Sequence, residues 1–247
     1  MTKSKLRTVA IIQARTGSTR LPKKILMDLS GKSMLERVIS RTKRAELLNE
    51  VVVATTTDPE DDLIVNLLEK EGLHYFRGSQ EDLLDRYYQS AKAYKADIIV
   101  RITSDCPMID PEIIDSIIGA YVKGQPKTDY ASNVFPIRTF PRGLDVEVFG
   151  FDVLSEIWAK DGDPRRREHV VPYIHQNQNE FKIINVTNGE DLSFMRWTVD
   201  TEEDFRLVKL IYDHFGHDSF HWIDVVELLK EKTDWLEINR HIIQKTI

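Results

Sequence analysis

Arg15, Arg20, Lys23 and Lys24 share one short stretch, Arg15-Thr16-Gly17-Ser18-Thr19-Arg20-Leu21-Pro22-Lys23-Lys24. Fixed cations interleaved with hydroxyls are the ingredients of a polyphosphate site, where backbone N–H groups, Ser/Thr hydroxyls and positive charge converge on one anion. The pattern G-x-x-x-x-G-K-[ST] is absent, so the stretch is not a P-loop. The competing reading is a solvated charge run. Against it stands the apolar run Val9-Ala10-Ile11-Ile12, which feeds straight into the cations as a buried strand would.

Asp105, in Thr103-Ser104-Asp105-Cys106-Pro107, follows a second apolar run. Such an Asp either caps a turn or ligates Mg²⁺, which takes one or two protein carboxylates together with substrate phosphates. The second carboxylate would be Asp200, in Trp197-Thr198-Val199-Asp200-Thr201-Glu202-Glu203-Asp204. Asp200 or Thr201 also reads as the cap of a helix with an acidic first turn, and the two roles are compatible. Further along, Arg142-Gly143-Leu144-Asp145-Val146-Glu147 puts Asp145 and Glu147 on one strand face, because side chains repeat every second residue. Arg165-Arg166-Arg167-Glu168-His169 sets cations before a helix. Both constellations suit the grip of an anionic acceptor, and both suit an internal ion-pair network. Cys106 is the single cysteine and has no visible His partner, so neither thiol catalysis nor zinc binding is expected.

These residues must be positioned by the elements between them. Strand and helix patterns alternate: strands at Thr8–Gln13, Val51–Ala54, His74–Phe76 and Ile98–Thr103, helices at Met34–Leu48, Pro59–Glu71, Glu81–Ala96 and Pro111–Val122. Alternation of this kind gives βαβ units around a mostly parallel sheet with helices on both faces, an α/β fold. The second half predicts strands at Tyr130–Val134, Leu144–Phe149, Phe181–Val186 and Met195–Val199. Asp163–Arg167 reads as a polar loop. Helices are predicted at Val153–Asp161, Glu168–Asn177, Glu202–Phe215, Ile223–Lys232 and Leu236–Gln244. Residues 1–125 read as a nucleotide-binding half, 126–200 as an inserted acceptor-binding and dimerisation subdomain, and 201–247 as helices completing one domain. The clusters at 14–24, 55–58, 77–79 and 104–107 all follow predicted strands, with Asp200 after a fifth. In open α/β sheets ligands sit beyond the carboxyl ends of the strands.

With 247 residues the chain can bury a large core, and a net charge of −6 speaks against a general nucleic-acid binder. One cysteine excludes an intrachain disulfide and fits a cytoplasmic setting. The charged amino terminus lacks a signal-peptide pattern, and no run reaches the ~18 apolar residues of a membrane span.

Val9–Leu26 resembles the amino-terminal motif of the CTP-dependent sugar-acid cytidylyltransferases, the CMP-KDO and CMP-sialate synthetases, whose pattern is roughly P-A-R-x-x-S-x-R-L-P-x-K. Arg15, Ser18, Arg20, Leu21, Pro22 and Lys24 match it, while Gln13 stands where Pro is usual. Ser104-Asp105-Cys106-Pro107 and Val199-Asp200-Thr201-Glu202-Glu203-Asp204 resemble that family's two metal-carboxylate segments. Arg77 and Arg86 keep its spacing, with Asp82-Leu83-Leu84 in place of Ser-Gly-Thr. The whole chain is more similar to the SpsF-like spore-coat polysaccharide branch. That likeness is carried by Arg77-Gly78-Ser79, Asp85-Arg86-Tyr87, Gly143 to Glu147, Arg167 to Ile174 and the tail from Ile238-Asn239 to Lys245.

The resemblance implies a nucleotide-diphospho-sugar transferase (GT-A-like) fold, Mg²⁺ as cofactor, CTP and a small-molecule acceptor as substrates, and a homodimer. It implies CMP transfer to a hydroxyl or phosphate of a sugar acid or other surface-polysaccharide precursor, with release of pyrophosphate. Lys24, Arg15 and Asp105 would be catalytic. Ala14, Arg15, Ser18, Arg20, Lys24, Thr55, Gly78, Arg86 and Asp105 would bind nucleotide, and Asp105 and Asp200 metal. Asp145, Glu147, Arg167 and His169 would bind the acceptor. Two alternatives share the fold: a glycosyltransferase consuming a nucleotide sugar, and a non-catalytic nucleotide-binding protein. The first usually carries D-x-D, which the Asp105 segment lacks, and the second predicts loss of phosphate or metal residues that are present here.

Overall fold

The structure, a computed structural model, describes residues 6–244. The amino-terminal residues read above against a signal peptide lie partly outside that range (residues 1–5), as does Lys245 of the tail. The elements in chain order are β1 (Thr8–Gln13), α1 (Met34–Thr42), β2 (Glu50–Thr56), α2 (Asp62–Lys70), β3 (Tyr75–Gly78), α3 (Leu83–Ala93), β4 (Ile98–Thr103) and α4 (Pro111–Gly124). They continue with β5 (Tyr130–Ser132), β6 (Glu147–Gly150), α5 (Phe151–Lys160), α6 (Pro164–Arg167), α7 (Pro172–Gln176), β7 (Ile183–Asn185), α8 (Glu202–Phe215), α9 (Trp222–Glu231) and α10 (Thr233–Leu236).

The strands form one seven-stranded sheet in the order β3-β2-β1-β4-β6-β5-β7. Pairings β3–β2, β2–β1 and β1–β4 are parallel, β6 runs antiparallel to both β4 and β5, and β7 is parallel to β5. The mostly parallel α/β sheet expected from the sequence is therefore present. β5, β6 and β7, all from residues 126–200, extend the same sheet.

Both faces of the central strands are buried. Ala10 and Ile12 of β1 face α1, α2, α4, α8 and α9, while Val9 and Ile11 face α3, α5 and α7. A strand covered on both sides reads as an unbroken apolar run, which is why β1 and β4 were legible from sequence.

Four local expectations are corrected. α1 stops at Thr42 because the next turn is held otherwise: the N–H groups of Glu46 and Leu47 each donate 2.9 Å to the Asp115 carboxylate. Asp163–Arg167 is not simply a loop: Pro164 opens the single turn of α6 and Asp163 caps it. The predicted helix 168–177 forms only as α7. Residues 195–199 form no strand. Arg196 bridges Arg142 alone, so the segment is extended and buried, with Trp197 and Val199 fully covered, but does not join the sheet. Its burial supplied the apolar signal.

Candidate active site

β1, β2, β3 and β4 run parallel, so the loops after Gln13, Thr56, Gly78 and Thr103 emerge along one edge of the sheet. Strand order reverses at β1, with β2 on one side and β4 on the other, and such a switch point is where open α/β sheets bind ligands. The loops carrying Arg15 and Asp105 leave from that point.

The loop after β1 is pinned at both ends. Ala14 is buried and its N–H reaches Ala54 O at 3.1 Å. Thr16 donates its N–H (2.7 Å) and hydroxyl (2.8 Å) to one oxygen of buried Asp61, whose other oxygen accepts the Thr56 hydroxyl. Downstream, buried Leu21 and Ile25 draw the chain back into the core, and Lys23 turns it with φ of 56°. Arg15, Gly17 and Thr19 lie exposed between these anchors, with Ser18 partly exposed. Arg15 makes no ion pair with any described residue, which leaves its charge for a ligand.

Ile25 brings Lys24 inward with it, to 9% exposure. Its ammonium donates to Val199 O (2.6 Å), to Asp200 Oδ1 (2.9 Å) and to Asp105 Oδ2 (3.2 Å). Burial opposes the charge, but the carboxylates of Asp105 and Asp200 overcome it and raise the Lys24 pKa above its ordinary value. Asp200 meets two further cations, Arg20 at 3.0 Å and Arg196 at 2.8 Å. Burial would raise its carboxyl, yet Lys24, Arg20 and Arg196 together hold it below the usual range. The two carboxylates come together because Val199 donates its N–H to Asp105 O at 2.8 Å, laying the segment before Asp200 along the turn after β4. Thr201 and Asp204 form the capping box of α8, so Asp200 is not the cap and its carboxylate pairs with Lys24, Arg20 and Arg196.

On the far side of the loop, Thr55 is fully buried and its hydroxyl meets no partner. It is the penultimate residue of β2, at the carboxyl end of that strand. A Cβ on Gly78 would stand 3.0 Å from Arg86 Cγ and from Phe76 Cε1, so glycine lets Arg86 lie against β3. Arg86 donates to Ser79 O at 2.8 Å, and burial, with Arg15 nearby, lowers its pKa to about 10. Arg77 is spent on Thr56 O, Asp58 O and the Asp62 carboxylate.

The acceptor constellations resolve into ion pairs. Asp145 precedes β6 and is held by both Arg138 nitrogens, at 2.6 and 2.7 Å, so it does not share a strand face with Glu147. Glu147 is 3% exposed and pairs with Arg101 and the Tyr130 hydroxyl. Arg167 is turned inward, donating to Asp82 (2.7 Å) and to the carbonyls of Trp158 (2.9 Å) and Asp161 (2.8 Å). In this structure the charges of all three are matched within the fold. His169 differs: it is half-buried and forms no ion pair with any described residue, and burial together with the charges of Arg101 and Arg15 depresses its pKa.

Residues 9–242 match the family described as cytidylyltransferase. The chain belongs to the cytidylyltransferase family. A spore coat polysaccharide biosynthesis protein, SpsF of Bacillus subtilis, is 32% identical over 213 residues, 83% of this chain and 86% of its own. The solved structure of a cytidylyltransferase from Leptospira borgpetersenii superposes with a TM-score of 0.91 at 35% identity, covering 98% of this chain and 100% of that one. CMP:2-keto-3-deoxy-manno-octonic acid synthetase complexed with CTP superposes with a TM-score of 0.65 at 21% identity, over 84% of this chain and 99% of that one, a likeness of fold.

Three residues that support this site escaped sequence reasoning. Arg196 is buried against Asp204 at 2.8 Å and hands its other nitrogen to Asp200, while Asn239 secures both Asp204 Oδ1 (2.8 Å) and Arg196 O (2.9 Å). Asp61 looks like any acid in a helix start, Pro59-Glu60-Asp61-Asp62, yet it holds the loop after β1. Only the fold reveals these partners.

Proposed function

We propose that this cytidylyltransferase moves CMP from CTP to a hydroxyl or phosphate oxygen of a small surface-polysaccharide precursor, releasing pyrophosphate, in the cytoplasm. The observation that carries the reading is Lys24 set between Asp105 and Asp200, beside a loop whose Arg15 has no counter-ion among the described residues. The acceptor class is supported by the kinship with SpsF.

The donor set fits a hard divalent cation: two carboxylates from separate segments, both within reach of one ammonium, with Asp105 29% exposed at its side chain. Asp105 and Asp200 would hold Mg²⁺. When bound, Mg²⁺ supplies charge neutralisation across the phosphates. The protein groups do the rest. Arg15 and Lys24 bind the β- and γ-phosphates and stabilise the departing pyrophosphate, and Arg20 and Ser18 support them. Gly78 and Arg86 border the base and ribose. The acceptor oxygen forms its bond to the α-phosphorus as the bond to the bridging oxygen breaks, opposite and in line. His169 lines the acceptor side.

A pyrophosphate-release screen crossing the four nucleoside triphosphates with an acceptor library tests the reading. Release is expected with CTP, and chelation of divalent cations should stop it. Asp105→Asn and Lys24→Ala should each lose about 10²–10³ in rate while keeping the wild-type circular dichroism. Near-wild-type release by either variant would refute the assignment.

A further inference from the structure

Gly143 stands in the turn just before β6, with φ of 105°. The turn is held from several sides. Leu144 N–H reaches Pro141 O at 3.3 Å, and Gly143 N–H donates to Asp145 at 3.1 Å. Buried Asn133 donates to Leu144 O (2.7 Å) and accepts Val146 N–H (2.9 Å).

The buried segment that leads to Asp200 runs along this turn. Arg142 N–H donates to Met195 O (2.9 Å), and Arg142 O accepts Trp197 N–H (2.7 Å). Two residues further on, Val199 N–H reaches Asp105 O at 2.8 Å, and the Thr198 hydroxyl reaches the same oxygen at 3.2 Å. Between those supports the Trp197–Thr198 peptide lies against Gly143. A Cβ there would stand 2.7 Å from both Trp197 C and Thr198 N, and 3.0 Å from Trp197 O. A flexible side chain could swing away from such a contact. These are backbone atoms, and Trp197 and Val199 beside them are fully buried, so the segment itself would have to move.

That movement has one direct consequence for the site. Asp200 N–H is tied downstream to the Asp204 carboxylate of α8 at 3.0 Å. Upstream, the backbone leading to Asp200 is placed by the strip from Trp197 to Val199. The same strip touches Asp105, the other carboxylate on Lys24. We propose that Gly143 is a positioning residue: its bare Cα lets the Trp197–Thr198 peptide settle on the turn, and that seat sets how far Asp200 stands from Asp105. The assignment rests on the reading of those two aspartates as holders of a divalent cation together with CTP.

Calorimetry of CTP binding, with and without Mn²⁺ and with no acceptor present, tests it. In the wild type Mn²⁺ should strengthen CTP binding. In Gly143→Asn that strengthening should fall about tenfold or more, while the metal-free affinity for CTP stays within about twofold. Asparagine takes positive φ more readily than other residues with a Cβ, so the loss reads the Cβ and not backbone strain. Thr198→Val adds nothing to the turn and removes the hydroxyl bond to Asp105 O. It should cut the strengthening about threefold, and it decides the matter should Gly143→Asn not fold. Unchanged strengthening in every folded variant overturns the positioning role. So does a loss of CTP affinity that is equal with and without Mn²⁺, since that marks a merely structural turn. Two wild-type results fall on the underlying readings. CTP binding that Mn²⁺ does not strengthen sinks the metal reading of Asp105 and Asp200 and the role built on it, and absence of CTP binding sinks the cytidylyl reading as well.

Discussion

Asp61→Asn should loosen the loop after β1 while leaving the side chains of Arg15, Ser18, Arg20 and Lys24 unchanged. The wild-type carboxylate is 2% exposed and accepts Thr16 N–H, Thr16 hydroxyl and Thr56 hydroxyl. A hydrogen bond to a charged group contributes about 1.5–3 kcal/mol. Asparagine keeps one oxygen for Thr16 but turns N–H groups toward Thr56, whose hydroxyl already accepts Asp58 N–H at 3.1 Å. Losing charge assistance at two bonds and the third bond outright, less the relief of burying a neutral amide, leaves a net loss of about 2 kcal/mol. For a chain of this size that lowers Tm by about 4–8 °C.

The acid side gives an independent check. Burial would raise the Asp61 carboxyl, but the Thr56 and Thr16 bonds outweigh it and hold it below its ordinary value. Its stabilisation is complete above the ordinary carboxylate pKa, near pH 4, and is lost as pH falls through the lowered value. The Tm gap between wild type and Asp61→Asn should be flat through neutral pH and close below about pH 4. Because Thr16 adjoins Arg15, the KM for CTP should rise about tenfold, with a smaller change in kcat. A variant with wild-type Tm and wild-type KM would refute the anchoring role.

Arg167→Met should cost about 1–3 kcal/mol of stability, read as a lower Tm, since the Trp158 and Asp161 carbonyls and Asp82 lose their donor, with little change in CTP affinity by calorimetry. Gly78→Ala should push Arg86 off β3 and raise the KM for CTP several-fold in the pyrophosphate assay. The homodimer expectation predicts that Phe194, 67% exposed, is covered by a second copy; Phe194→Asp should then sediment as a monomer where the wild type sediments as a dimer.

What the sequence revealed follows from where the information sits. The bounds of β1 and β4 were readable because each is buried on both faces, and α8 because Thr201, Asp204 and the left-handed Gly216 (φ 70°) mark both its ends. Lys24, Asp105 and Asp200 were singled out by type and by their place after apolar runs. The rest depended on partners distant in sequence. Arg167 and Arg101 are the same residue type in comparable polar settings, and only tertiary contacts turn one onto backbone carbonyls and set the other against Glu147. Trp197 and Val199 looked like strand residues because they are buried, although among the described residues no strand pairs with them.

The bond from Val199 N–H to Asp105 O has a consequence for how the protein is made. During synthesis the first four strands, with the cationic loop and Asp105, leave the ribosome long before residue 199 does. Through that interval Lys24 lacks two of its three acceptors, Val199 O and Asp200, because closing so long a stretch of chain is entropically costly and comes late. The three-way contact is therefore a seal set by the last third of the chain. A nucleotide that needs both carboxylates can bind only finished molecules, and by mass action it withdraws those molecules from unfolding and degradation.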